Sequence, residues 1–103
     1  MAEYKNEALG VKFSVPDTMT VGQNLRYRGR VFNAGFYSDD VYIRMWQGFL
    51  SLYQEWECDL IANPKDLDVD TETNPQVANI VMWVGNMTAH HVNVLEAEAV
   101  PKN

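Results

Sequence analysis

Three carboxylates, Asp66, Asp68 and Asp70, alternate with Leu67 and Val69, the spacing with which an EF-hand loop offers its first oxygen ligands to calcium. The rest of that pattern is missing. The sixth position needs glycine for a sharp turn and holds Thr71, and the twelfth needs a bidentate glutamate and holds Val77. The run therefore reads as a solvated acidic loop. His90 and His91 come next as ligands, but neighbours on a helix point about 100° apart, and zinc-protease helices set their histidines four residues apart with a glutamate between. His91 falls on an apolar face and reads as a packed residue, His90 as an exposed one. Cys58 needs a histidine beside it to act as a nucleophile, and both histidines belong to a different predicted helix, so it reads as an inert thiol. No phosphate-cradling glycine loop, Gly-x-Ser-x-Gly elbow or paired-cysteine motif is present. The residue types point to a chain that is not an enzyme, with no metal and no cofactor.

Charge narrows the partners. The formal net charge is -6, and Glu55, Glu57, Asp59, Asp66, Asp68, Asp70 and Glu72 crowd one stretch against Lys65 alone. Such a surface repels nucleic acid. The one basic cluster, Arg26, Arg28 and Arg30, spreads around much of a helix circumference and reads as ordinary solvated charge. A single cysteine rules out an internal disulfide framework and fits a reducing compartment. The opening MAEYKNEA has no basic segment ahead of an apolar run, and no stretch approaches eighteen apolar residues, so a cytoplasmic protein with no membrane contact is expected. Asn86-Met87-Thr88 matches a glycosylation acceptor, which in that compartment is a chance match.

The elements that would position these residues follow from periodicity. The length, 103 residues, fits one domain over 1–103, and with 47% hydrophobic residues the chain can fill a core. Leu9, Val11, Phe13 and Val15 alternate with Gly10, Lys12 and Ser14, the period of a half-buried strand that ends at Pro16-Asp17. Glu3-Tyr4-Lys5 can supply its partner, giving a hairpin over 3–15 that must pack on helices to persist. Thr20 with Gln23 makes a capping-box pattern, and Val21, Leu25 and Phe32 then recur at near-helical spacing, predicting a first helix at about 20–33.

Ser38 is a candidate N-cap for a second helix over about 39–57, with Asp39 and Asp40 in its first turn. Its apolar residues, Val41 through Trp56, cover an arc of roughly 200°, more than one core contact needs. The segment 58–73 reads as a loop. Asn74-Pro75 reads as an N-cap followed by proline at the first helical position, opening a third helix over about 75–95 along Val77, Ile80, Val81, Val84, Met87, His91 and Leu95. The tail, 96–103, is expected to be loose, and there is no internal repeat. The expected fold is mainly α: an N-terminal β-hairpin or strand followed by a three-helix domain.

Apolar surface is in surplus. Phe32, Phe36 and Tyr37 surround a glycine turn, Tyr42, Trp46, Phe49, Tyr53 and Trp56 widen the face of the second helix, and Met82 sits on the polar side of the third. Either the hairpin and two helices cover all of it, or part of it stands open as a groove that receives an apolar partner helix. These eight aromatic residues, Phe32 to Trp56, are the candidate partner-binding set.

Several segments together carry a recognisable pattern: Gly10-Val11-Lys12-Phe13-Ser14-Val15-Pro16-Asp17-Thr18-Met19-Thr20-Val21, Trp46, Trp56-Glu57-Cys58, Trp83-Val84-Gly85, His91-Val92-Asn93 and Val100-Pro101-Lys102-Asn103. Across nearly the whole chain this resembles the tail assembly chaperones of long-tailed, siphovirus-type bacteriophages. The resemblance implies a helical, non-virion protein in the cytoplasm of the infected host. Such a protein coats the tape measure protein, keeps its long apolar helices soluble and helps recruit tail tube subunits, and self-association is compatible with that role. The family often makes two lengths of product by ribosomal slippage, and Pro101-Lys102-Asn103 can be encoded by CCA-AAA-AAC, which contains a slippery run. Two other classes share the size and charge: a small structural virion protein of the tail or head-tail junction, and an enzyme fragment, for which no titratable cluster is visible.

Overall fold

The computed structural model describes residues 1–32 and 40–99. Two strands open the chain: β1 (Ala2–Asn6) and β2 (Val11–Val15) pair antiparallel, with Tyr4 opposite Phe13. The reversal runs through Glu7–Gly10, where the Gly10 amide donates to the Glu7 carbonyl at 3.2 Å. Gly10 has φ of 66°, a conformation open to glycine at little cost. A Cβ there would also lie 2.6 Å from Asp59 Oδ2. The alternation in β2 buries Val11, Phe13 and Val15.

The first helix, α1 (Val21–Val31), starts from a complete capping box: Thr20 Oγ1 accepts from the Gln23 amide at 3.0 Å, and Gln23 Oε1 accepts from the Thr20 amide at 2.9 Å. Next come α2 (Val41–Leu52), a third strand β3 (Glu55–Cys58), a 3-10 turn (Pro64–Asp66) and α3 (Pro75–Ala99). Asn74 Oδ1 accepts from the Gln76 amide at 3.0 Å and so caps α3 ahead of its N-terminal proline.

The third strand corrects the expected fold. A mainly α chain, with a hairpin followed by a three-helix domain, would carry the second helix on to about residue 57. Instead, among the described residues, the element order is β-β-α-α-β-α around a three-stranded antiparallel sheet β1-β2-β3, an α+β globule. The helix stops at Leu52 because Tyr53 turns to extended backbone, and the Gln54 amide then donates to the Ser14 carbonyl at 2.9 Å. Glu55-Trp56-Glu57-Cys58 alternates polar and apolar residues with a period of two, and the open side of β2 supplies the hydrogen-bonding partner that a helix would have forgone. Trp56 thereby faces Phe13 across the sheet rather than extending a helical stripe. At the other boundaries, helix persists through 96–99, and the candidate cap Ser38 lies outside the described residues.

Phe13 is where sheet and helices meet. Its ring stacks on Tyr4 at 5.4 Å and meets Phe49 of α2 and Trp83 of α3 edge-on at 5.2 and 5.7 Å. Two glycines set the helix spacing around α2. A Cβ at Gly48 would lie 2.6 Å from Val31 Cγ2 and 2.8 Å from Tyr27 Cε2, so α1 packs directly on the α2 backbone. A Cβ at Gly85 of α3 would lie 3.0 Å from Met45 Cβ on the other side of α2.

Candidate partner-binding surface

The aromatic residues singled out in the sequence divide into three groups. Trp46 and Phe49 are core, 2% and 0% exposed, with rings stacked at 5.0 Å. Tyr53 and Trp56 are half-buried against them: Tyr53 stacks on Phe49 at 5.0 Å, and Trp56 Nε1 donates to the Ile61 carbonyl at 2.7 Å. Phe32 and Tyr42 are exposed, and Phe36 and Tyr37 lie outside the described residues. The broad arc of α2 is thus used mostly on contacts within the fold, with α1, α3 and the sheet.

What the surface keeps is two apolar grooves flanking the first half of α2. The first, about 170 Å³, lies among all three helices and is lined by Tyr27, Val31, Phe32, Val41, Met45 and Val92, with Arg44 and Glu96 as its charges. The second, about 260 Å³, lies between α2, the start of α3 and the loop before it, lined by Tyr42, Ile43, Val69, Val77, Val81 and Met82, with Glu72 at its rim.

Polar groups in the first groove are unevenly satisfied. Arg44 Nε donates to Asp40 Oδ1 at 3.0 Å, one turn back, while its Nη1 is buried with no hydrogen-bond partner among the described residues. A buried guanidinium nitrogen without an acceptor is costly and offers a docking helix a place for a carbonyl or carboxylate. Glu96 is held by Arg28 Nη2 at 2.5 Å. Burial, then the nearby Glu96 carboxylate, push the Tyr27 hydroxyl up to about 12, so it stays neutral in the groove wall.

Compared with known protein families, curated proteins and solved structures, the chain matches none of them. Among the described residues no helix is long and apolar enough to cross a membrane. No group of three or more His, Cys, Asp or Glu side chains comes together among them as a metal site. His91 in particular has no ring nitrogen to spare: Nε2 donates to the Pro16 carbonyl at 2.7 Å, and Nδ1 accepts from the Tyr4 hydroxyl at 2.8 Å. That tautomer is fixed by the carbonyl, which can only accept.

Sequence reasoning missed both the second groove and the face that α1 presents. Val21 and Leu25, whose spacing predicts α1, are 76% and 63% exposed, and Tyr27 with Val31 makes the contact to α2. The available signal was Gly48, which lets a large α1 side chain close on α2. For the second groove the signal was the alternation of Leu67 and Val69 with acids, which turns both inward against the core.

Proposed function

We propose that this chain is a non-catalytic binding protein of the tail assembly chaperone kind, taking up an apolar helix of a tape measure protein in the groove between α1, α2 and α3. The observation that carries the reading is that groove: an apolar trough among three helices, walled by Tyr27, Val31, Val41, Met45 and Val92 and edged by exposed Phe32. An amphipathic helix laying its apolar side into such a trough is a common mode of peptide recognition. Arg44 adds a directional element, since its buried Nη1 would gain an acceptor from the incoming chain. The net charge of -6 supports the masking role, because coated complexes would repel one another. The link to tape measure and tail tube proteins, and to the cytoplasm of an infected host, rests on the sequence resemblance.

The test separates a chaperone from a structural virion protein. In infected cells the chain should co-purify with the tape measure protein before tails are complete, and purified particles should lack it. Stoichiometric retention of the chain in purified particles would favour the virion reading over this one.

A further inference from the structure

We infer that two copies of this chain dimerise along the outer edge of β1, joining their three-stranded sheets into one antiparallel sheet with Tyr4 beside its own copy at the two-fold axis. The sheet order is β1-β2-β3, so among the described residues no strand pairs with the far side of β1. What that edge offers follows from β2. The Ser14 carbonyl accepts from the Gln54 amide at 2.9 Å and the Gly10 carbonyl from the Asp59 amide at 3.1 Å, both on the β3 side. Successive residues of a strand turn their backbone groups to opposite sides, so Lys12 and Ser14 bond towards β3, and Val11, Phe13 and Val15 towards β1. Their β1 partners, Asn6, Tyr4 and Ala2, use their backbone groups there. Glu3 and Lys5, opposite Ser14 and Lys12, therefore hold their amides and carbonyls out at the free edge, where an added strand can bond them.

The charges select the partner and its register. Tyr4 turns inward onto Phe13 and His91, and Glu3 and Lys5 project together from the other face, both exposed. With Tyr4 opposite its own copy, an antiparallel second β1 sets Glu3 against Lys5 twice, and both pairs are of the hydrogen-bonded kind. A shift that keeps the outward groups in register brings Glu3 against Glu3 or Lys5 against Lys5. Charges at a sheet edge ordinarily forbid pairing, whereas here they forbid the neighbouring registers and permit one. Within the chain Glu3 and Lys5 have only surface pairs, with Lys12 at 4.0 Å and Glu7 at 3.3 Å. Lys5 also stands directly opposite Lys12, a like-charge pair that a glutamate on its free side relieves. At the other edge β3 carries Glu55 and Glu57 and no base, so two β3 edges repel. One patch meets itself in the β1 contact, which is isologous and closes at a dimer.

The experiment uses the full chain alone, so its failure is distinct from failure of the tape measure reading. Sedimentation velocity over a concentration series up to about 1 mM should show a reversible monomer–dimer equilibrium that grows no further. Glu3→Lys and Lys5→Glu each set like charges opposite at both pairs and should weaken the dimer roughly tenfold or more, with native circular dichroism. The combined Glu3→Lys/Lys5→Glu variant exchanges the partners and should dimerise as the wild type does. The two single variants, mixed, place lysine against glutamate at both pairs and should form a 1:1 heterodimer. In hydrogen exchange the Glu3 and Lys5 amides should be fast in dilute solution and slow in the dimer, while the Tyr4 amide is slow in both. The proposal is overturned by a wild-type chain that stays monomeric, a dimer that survives either single change, a combined variant or mixture that stays monomeric, or a dimer whose Glu3 and Lys5 amides still exchange fast.

Discussion

The Tyr4 hydroxyl donates to Nδ1 of His91 across 2.8 Å, joining the first strand to the last helix over 87 positions of sequence. With Nε2 held by the Pro16 carbonyl, the imidazole ties β1 and the end of β2 to α3. His91→Ala removes the partner of both groups and leaves a cavity, and should cost about 2–4 kcal/mol in urea unfolding. Tyr4→Phe loses one hydrogen bond and should cost about 1 kcal/mol. Equal and negligible effects would mean that the pair does not form.

Two glycines of adjoining helices should respond with opposite signs. Gly48→Ala drives a methyl into Val31 and Tyr27 and should destabilise by about 1–3 kcal/mol. At Gly29 a Cβ meets nothing within 4 Å, so Gly29→Ala should stabilise α1 by about 0.5–1 kcal/mol. Thermal melts of the two variants check both signs at once.

Alkaline pH should loosen the packing of α1 on α2. The folded Tyr27 hydroxyl is pushed up to about 12, while an unfolded tyrosine ionises near 10, so above about pH 10 the folded state binds more protons than the unfolded one. The associated stability is fully present below pH 10 and is lost as pH rises towards 12, amounting to about 2–3 kcal/mol. Tyr4, raised by burial and by Asp17, adds a slope of the same sign. Tyr27→Phe should flatten most of this dependence in urea titrations between pH 9 and 12.

The third strand has its own signature. Amides of Gln54 and Asp59 donate to the Ser14 and Gly10 carbonyls, at 2.9 and 3.1 Å, and bracket the β2–β3 pairing. Both should exchange slowly with solvent although their side chains are exposed. Fast exchange at both would place Glu55–Cys58 outside the sheet.

Local chemistry was legible in the sequence, and competition between distant partners was not. The Thr20–Gln23 box and the Asn74–Pro75 start of α3 involve residues a few positions apart, so the pattern and the structure coincide there. The period of two in β2 likewise identifies Val11, Phe13 and Val15 as its core face, although Ser14 on the other face is buried too, its hydroxyl accepting from the Glu55 amide. Trp56 is the counter-example: its apolar ring fits a helical stripe and a strand equally well, and the decision came from the vacant side of β2, more than forty positions earlier in the chain. For the candidate surface, Phe32 and Tyr42 are exposed, whereas Trp46 and Phe49 are taken by the core. Sequence periodicity marks a residue as apolar without saying which neighbour covers it, and here Phe13, arriving from the sheet, covers Phe49.

Arg44 offers a variant that should separate folding from binding. Arg44→Met removes a buried guanidinium whose Nη1 lacks a partner among the described residues, and should leave stability within about 1 kcal/mol of wild type. It should weaken uptake of a partner helix that supplies an acceptor there, as read by titration calorimetry with the purified chain.

The most direct measurement of the proposed function is co-expression of the chain with a phage tape measure protein, reading how much of the latter stays soluble. The wild-type chain should hold it in solution as a complex. Phe32→Asp, an exposed change at the groove edge, should keep the chain folded and lose most of that complex. Tape measure protein that precipitates equally with and without the wild-type chain would contradict the account.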